Sequence, residues 1–438
     1  MNHYIINHLF SSHIYINCKT FFQVKDVKLV AKSTEKVMSV TISFHNTDAK
    51  AILIDSLNFL PSSLQSLVDN LKKKSIVKAI DDDDITDMNA STFQHTTKFF
   101  KQKFPELDSS ALSLLLQKGI YPYNYITSLE KLSETALPKK DAFFNTLSQE
   151  HITDEEYARA QEIWKTFKCK TLGDYHDIYL MSDTCLLADV FENFRSESMQ
   201  NYGLDPVFFI SSPGLSWAAA LLHTKQILEI VKDVDISLFI DSAMLGGVSQ
   251  ANHPIYKSGR CEKTNQLHHL MLLDVNNQYG HAMCQALPVG GFSFLPSEEV
   301  NSWDENKILS IPDDDDHGYF LEVDLIYPQE LHELHDEYPL APEHYLTKVS
   351  DLSEYQHKMR ESHNLKMGKH PKLCLTLFYK VKYKLHYRNL KQYLQLGLRI
   401  GKIHRILKFQ QHPWLKSYID LNTRIRQSAT CKADEVSS

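Results

Sequence analysis

Several things that this 438-residue chain lacks narrow what it can be. Its seven cysteines, Cys18, Cys169, Cys185, Cys261, Cys284, Cys374 and Cys431, are odd in number and scattered, and no two form a Cys-x-x-Cys pair. That set excludes a disulfide framework and a zinc ribbon and fits a reducing, intracellular compartment. No apolar run approaches the ~20 residues that cross a bilayer, and Met1 is not followed by a basic segment and a long hydrophobic one. Neither secretion nor a membrane partner is expected. Internal repeats and low-complexity tracts are missing as well. What is present is 43% hydrophobic residues, enough to fill the cores of two or three domains.

The formal net charge of −7 argues against a nucleic-acid partner until the charges are located. Between Arg360 and Arg426 stand 16 Lys and Arg against two acids, Glu361 and Asp420, a local balance of +14. Tyr379, Tyr383, Tyr387, Tyr393, Phe409 and Trp414 are interleaved with those bases. A short basic run is ordinarily a solvated helix face; one this long and one-sided fits a surface that tracks a phosphate backbone. Lys380, Lys382, Lys384, Arg388 and Lys391 are its candidate DNA contacts. The acidic runs Asp81–Asp84 and Asp313–Asp316 read as exposed loops, because consecutive residues cannot all converge on one ion.

The sequence VMSVTISF, a turn at His45 to Asp48, and then KAILID alternate and turn as a β-hairpin. DSLNFLPSSL follows, with Ser62 or Ser63 placed to cap a helix. Residues Phe93 to Lys118 and Asp154 to Cys169 have helical spacing, with the aromatic YPYNY at Tyr121 to Tyr125 between them. In Asp174 to Arg195, Leu180, Leu186, Leu187, Val190, Phe191 and Phe194 make an apolar stripe, while Tyr179 and Asp183, four apart, share a helix face. A helix opening at Ser212 or Pro213 and a double glycine, Gly246 and Gly247, come next.

Leu270 to Leu273 form a short apolar run of the kind that fills a buried strand, and the run exits on Asp274. Asn276, Asn277 and Gly280 then break the pattern and carry Tyr279 into a turn. An Asp in that place is ordinarily a turn or cap residue; it is also well placed to hold a metal. FLEVDLIY at Phe320 to Tyr327 alternates as a strand, with Asp324 expected to face solvent. His268, His269, His332 and His335 lack a Cys or acid to complete a metal site and read as ordinary surface histidines.

The run DVNNQYGHAMCQALPVGGF from Asp274 resembles motif A of family B DNA polymerases, in the form found in the protein-primed enzymes of Polinton/Maverick elements and related viruses. The resemblance extends from about Val27 to Arg426 and includes YHDIYLMSDTCLLADVFENFR and HYRNLKQYLQLGLRIGKIHRILKFQQHPW. It implies that Asp274 binds two catalytic Mg2+ ions, one of them shared with the Val275 carbonyl, and that Tyr279, with Val275 and Asn277, meets the incoming dNTP. It implies that Tyr179 and Asp183 match the third exonuclease motif, the acid holding a metal and the phenol orienting water. Ser56 and Leu57 then match contacts to the single-stranded primer end, and Gly246 and Gly247 a DNA-contacting YxGG motif whose tyrosine is Met244 here. DNA template and primer are the implied partners, with a terminal protein as a further candidate and nuclear localisation expected.

Departures from the family pattern matter equally. No Asp-x-Glu pair precedes the hairpin, and Ser11, within Phe10, Ser11, Ser12 and His13, stands where the family has an acid. No 3′–5′ exonuclease activity is expected. Motif B, with its triphosphate-gripping lysine, and motif C, aspartate-threonine-aspartate, do not occur. The expectation is therefore an α+β chain truncated at both ends and inactive alone, or else a non-catalytic remnant that binds DNA or a terminal protein. Its expected parts are an RNase H-like exonuclease domain at 1–200, the first part of a palm at 201–295, a terminal-protein-region insertion at 296–370, a basic palm and fingers segment at 371–426, and a divergent tail at 427–438.

Overall fold

The computed structural model describes residues 24–31, 33, 37–45, 47–82, 92–147, 149–250, 255–260 and 265–428, with side chains for all of these but 74–82. The chain divides into two compact units, Met1–His223 with Asp420–Ser438, and Thr224–Ile419. In the first unit three strands precede the helices, whereas in the second strands and helices alternate; every strand pairing among the described residues is antiparallel.

In the first unit β1 (Val24–Ala31), β2 (Val37–Phe44) and β3 (Lys50–Ile54) form a meander in that order. The expected hairpin is its second half, with Ser39 opposite Ile54 and Ser43 opposite Lys50. Period-two alternation puts Val40, Ile42 and Phe44 together on one buried face. Ser63 Oγ accepts from the Ser66 amide at 3.2 Å and caps α1 (Leu64–Asp82). This helix corrects part of the loop expected at Asp81–Asp84: Asp81 and Asp82 are its last residues, because the lysines and Ala79 before them are good helix formers that carry the helix into the acidic run. Asp83, Asp84 and the Phe10–His13 run lie outside the described residues.

The helical segment expected over Phe93 to Lys118 is two helices, α2 (Gln94–Lys103) and α3 (Ser109–Leu115). Pro105 cannot donate to a continuing helix, and Asp108 starts a new one by accepting the Ala111 amide at 2.7 Å. After α4 (Asp154–Thr166) comes the element that organises the unit, α5 (Leu172–Tyr202). A capping box between Thr171 and Asp174 opens it, and Gly203, at a φ of 69°, closes it in the left-handed conformation that glycine adopts without strain. Its 31 residues span about 46 Å, enough to serve two cores. Leu172, Tyr175 and Ile178 pack with Phe100 and Leu115, while Leu186, Val190 and Phe194 pack with Phe59 and Val68. Leu180 and Leu187, expected within the stripe, are exposed instead. Polar Ser182 and Asp189 take buried places on that face because they have partners. Asp189 accepts the amides of His95 and Thr96 at 2.7 and 3.0 Å and so caps α2 from across the core.

The second unit is built on a four-stranded sheet. Named in chain order, its strands are β4 (Leu287–Phe294), β5 (His317–Ile326), β6 (Lys380–His386) and β7 (Arg399–His412), arranged β6-β5-β7-β4. They come from three of the segments expected to be separate parts. One face buries Leu321, Val323, Leu325 and Ile406 under the helix Tyr387–Gln395, through Tyr387 and Leu390. The other buries Phe320, Leu407 and Phe409 beneath Phe239 of the helix Val234–Ala243.

Candidate functional site

Two places carry the chemistry expected of this chain, one in each unit. In the first, Tyr179 and Asp183 sit one turn apart on α5, on the flank of its buried stripe. The loop after α3 closes over them. Lys118 Nζ is ion-paired with Asp183 Oδ2, lies 3.0 Å from Tyr179 Oη and lies 3.4 Å from Tyr123 Oη. The Gly119 amide donates to Asp183 Oδ1 at 3.0 Å, so both carboxylate oxygens are engaged. The Tyr123 and Tyr179 hydroxyls bond each other, and the Tyr121 ring stacks on Tyr179 at 4.6 Å. Burial, followed by the hydrogen bonds with Tyr123 and Asp183, pushes the Tyr179 phenol far above its ordinary range and keeps it neutral.

The loop is stitched down by further hydrogen bonds to its backbone. Tyr175 Oη donates to the Ile120 carbonyl at 2.6 Å, Ser182 Oγ to that of Leu115 at 3.0 Å, and Arg159 Nη2 to that of Lys118 at 2.7 Å. Glycine is required at 119, where a Cβ would collide with the Tyr179 ring. Lys118 is the residue that sequence reasoning missed. Its signal was the Lys-Gly pair directly before the aromatic run at 121–125, which only tertiary folding joins to Tyr179. Ser56 and Leu57 stand in a short turn that Asp55 caps by accepting the Leu57 amide at 3.0 Å, with Leu57 exposed.

In the second unit the environment of Asp274 is the opposite. Leu270 to Leu273 are not a buried strand: they are irregular and exposed, Leu272 to 98%. An apolar run becomes a strand only with a paired neighbour and a covering layer, and among the described residues nothing pairs with 269–277. Asp274 and Val275 are exposed alongside. Asn277, at a φ of 53°, accepts the Gly280 amide at 3.3 Å and caps the helix Gln278–Met283. Tyr279 is thus in a first helical turn rather than in a loop, and is 84% exposed. Gly246 and Gly247 lie in irregular, exposed chain after the helix Val234–Ala243.

The candidate DNA contacts divide by environment. Lys382 is exposed, at a bulge in β6 where its φ is 51°. Lys380 is not available: it is 2% exposed, and its ammonium bonds Glu343 Oε1 at 2.6 Å and the Thr376 carbonyl at 3.1 Å. The bulge reverses the strand's facing, turning Lys380 inward, and burial lowers the pKa of this lysine. Lys391 is held by the Ile311 carbonyl at 2.6 Å and by Asp313 at 2.7 Å, and Arg388 by the Asp313 carbonyl. Lys384 lies 3.8 Å from Glu322.

Asp324, expected to face solvent, is largely enclosed: it accepts the Lys382 amide at 2.8 Å and lies 2.9 Å from His404 Nε2. Burial opposes its charge, but that amide, His404 and Tyr379 together hold its carboxyl below the usual range. His335 Nδ1 is 2.8 Å from Tyr327 Oη, and no group of three His, Cys, Asp or Glu among the described residues is arranged to hold a metal. The described residues therefore do not fit a two-metal centre. Asp183 is occupied by an ammonium, and Asp274 stands without a second carboxylate.

A family model described as DNA polymerase type B, organellar and viral, matches residues 2–438. No curated protein matches. Among solved structures, the chain is similar to phi29 DNA polymerase complexed with primer-template DNA and incoming nucleotide substrates. Identity there is 13%, with 94% of this chain and 51% of that one covered at a TM-score of 0.42. The same polymerase complexed with single-stranded DNA gives 14% identity, 99% and 54% coverage, and a TM-score of 0.44. The chain spans about half the length of the solved polymerases it matches.

Proposed function

The chain belongs to the organellar and viral type B DNA polymerases, and from that premise we propose that it serves as a DNA-directed DNA polymerase in replication, protein-primed and of the Polinton/Maverick kind. The observation that carries the reading is the family match across residues 2–438. In this reading the first unit is the exonuclease-like domain and the second is palm, with the terminal-protein-region insertion around β5. Polymerases of this family use divalent metal ions and dNTPs. Asp274 and Tyr279, both open to solvent, are the residues of the second unit that would meet the nucleotide, beside Val275 and Asn277. Lys382, Gly246, Gly247, Ser56 and Leu57 would meet DNA, and the priming terminal protein would be a second partner in the nucleus.

One observation favours a second reading, a non-catalytic binder of DNA or terminal protein: neither carboxylate centre among the described residues is arranged for metal. A primer-extension assay paired with primer-template binding across a salt series separates the two. The polymerase reading expects this chain, which lacks motifs B and C, to incorporate little alone, and expects whatever template-directed incorporation it shows to fall about a thousandfold or more in Asp274→Ala, with DNA affinity retained. Salt-sensitive binding without incorporation supports the binder; incorporation indifferent to Asp274→Ala overturns the site assignment.

A further inference from the structure

We propose that the resident cation of the Asp183 centre is the ammonium of Lys118, and that the centre excludes divalent metal. A metal-binding aspartate needs free lone pairs facing a space shared with other hard oxygen ligands. Each oxygen of Asp183 is already engaged, and among the described residues no group of three potential ligands forms around it. One oxygen takes the Lys118 ammonium and the other takes the Gly119 amide. Among the described residues, the oxygens that share the space are the phenols of Tyr179 and Tyr123, and with Asp183 they account for the three hydrogens of the ammonium. Those phenols are neutral donors and acceptors bonded to each other; they contribute no negative charge to attract a dication.

Further positive charge stands nearby. Arg159, half-buried, donates to the Lys118 carbonyl at 2.7 Å and feels the charges of Glu156, Asp183 and Asp69, and Lys72 in turn feels Asp69 and Arg159. Three cations thus already answer these three carboxylates, which leaves no surplus of negative charge among them to draw in a dication. The lock is also the product of the fold, since Lys118 reaches Asp183 only because Gly119 clears the Tyr179 ring and because Tyr175, Ser182 and Arg159 fix the loop. Asp183 is accordingly a positioning residue. It fixes the Lys118–Tyr123 strap to α5 and holds the Tyr121, Tyr123 and Tyr179 cluster in place, and it does so whether or not the polymerase reading holds.

The test is a Mn2+ titration of the full chain, followed by electron paramagnetic resonance, on the wild type, Asp183→Asn, Lys118→Met and the double variant, with melting temperatures recorded alongside. The expected result is that the wild type and Asp183→Asn give the same Mn2+ isotherm, and that EDTA leaves the wild-type melting temperature unchanged. Each single variant should melt earlier, and the double variant should recover part of the loss, the signature of a coupled pair. Loss of one bound Mn2+ in Asp183→Asn overturns the proposal, as does strict additivity of the two substitutions. Should Lys118→Met fail to fold, the comparison of the wild type with Asp183→Asn decides alone, since it needs only the isosteric variant.

Discussion

The Asp183 and Asp274 neighbourhoods are the two places where the residues resemble a family's catalytic acids, and the fold treats them in opposite ways. Asp183 lies on a helix with one face buried along its length, under a loop held through Lys118, Gly119 and Ile120. Asp274 follows four exposed apolar residues and precedes a six-residue helix. Identical chemistry in the side chain gives a locked ion pair in one setting and an open carboxylate in the other. A motif therefore specifies which group can react, while packing specifies whether that group is free to do so.

The sharpest way to break this comparison is to remove packing beneath the enclosed centre. Leu186, one turn beyond Asp183 on α5 and fully buried, should cost about 3–5 kcal/mol on Leu186→Ala in chemical denaturation; a loss under about 1 kcal/mol would mean that α5 is not the core it is taken to be.

Next comes a half-buried polar group in the second unit. His386 accepts the Arg388 amide at Nδ1 and is packed against Phe320 and Phe409. Burial, with Arg388 adding to it, pushes its pKa down to about 4 from an ordinary value near 6.5. The unfolded chain then binds the proton first as pH falls. Stability is full above pH 6.5 and is lost between about 6.5 and 4, by about 3 kcal/mol at most. Denaturation midpoints measured across that window should decline in the wild type and flatten in His386→Gln, and equal slopes would show that His386 is not the group responsible.

The smallest effect belongs to the open stretch. Leu272→Ala should change stability by less than about 0.5 kcal/mol, because that side chain touches almost nothing. A cost comparable to that of Leu186→Ala would show that the segment is packed in solution, and the contrast between the two neighbourhoods would fail.

Much of the local architecture was legible because it depends on neighbours in sequence. The β2–β3 hairpin followed from alternation and its turn, the Ser63 cap from a hydroxyl ahead of an apolar period, and the long helix through Tyr179 and Asp183 from 3.6-residue spacing. The errors have one origin. Leu180 and Leu187 fit the stripe by pattern, yet Ser182 and Asp189 took buried places because their partners, Leu115 and Thr96, are distant in sequence. Lys380 and Lys382 looked equivalent until a bulge turned one inward and the other outward.

By itself the sequence determined the family, the period of the β2–β3 hairpin and of the long helix α5, the Ser63 cap, the segregation of charge and the identity of both candidate acids. These are carried by residue type and spacing, which act over one or two turns of chain. Tertiary structure alone decided that Asp183 is held by Lys118, 65 positions away, that Asp324 is enclosed by His404 and the Lys382 amide, and that Leu270 to Leu273 pair with no strand among the described residues. The reason is physical: burial and charge pairing depend on distance in space, and a periodic pattern records which face turns inward without recording what it will meet there.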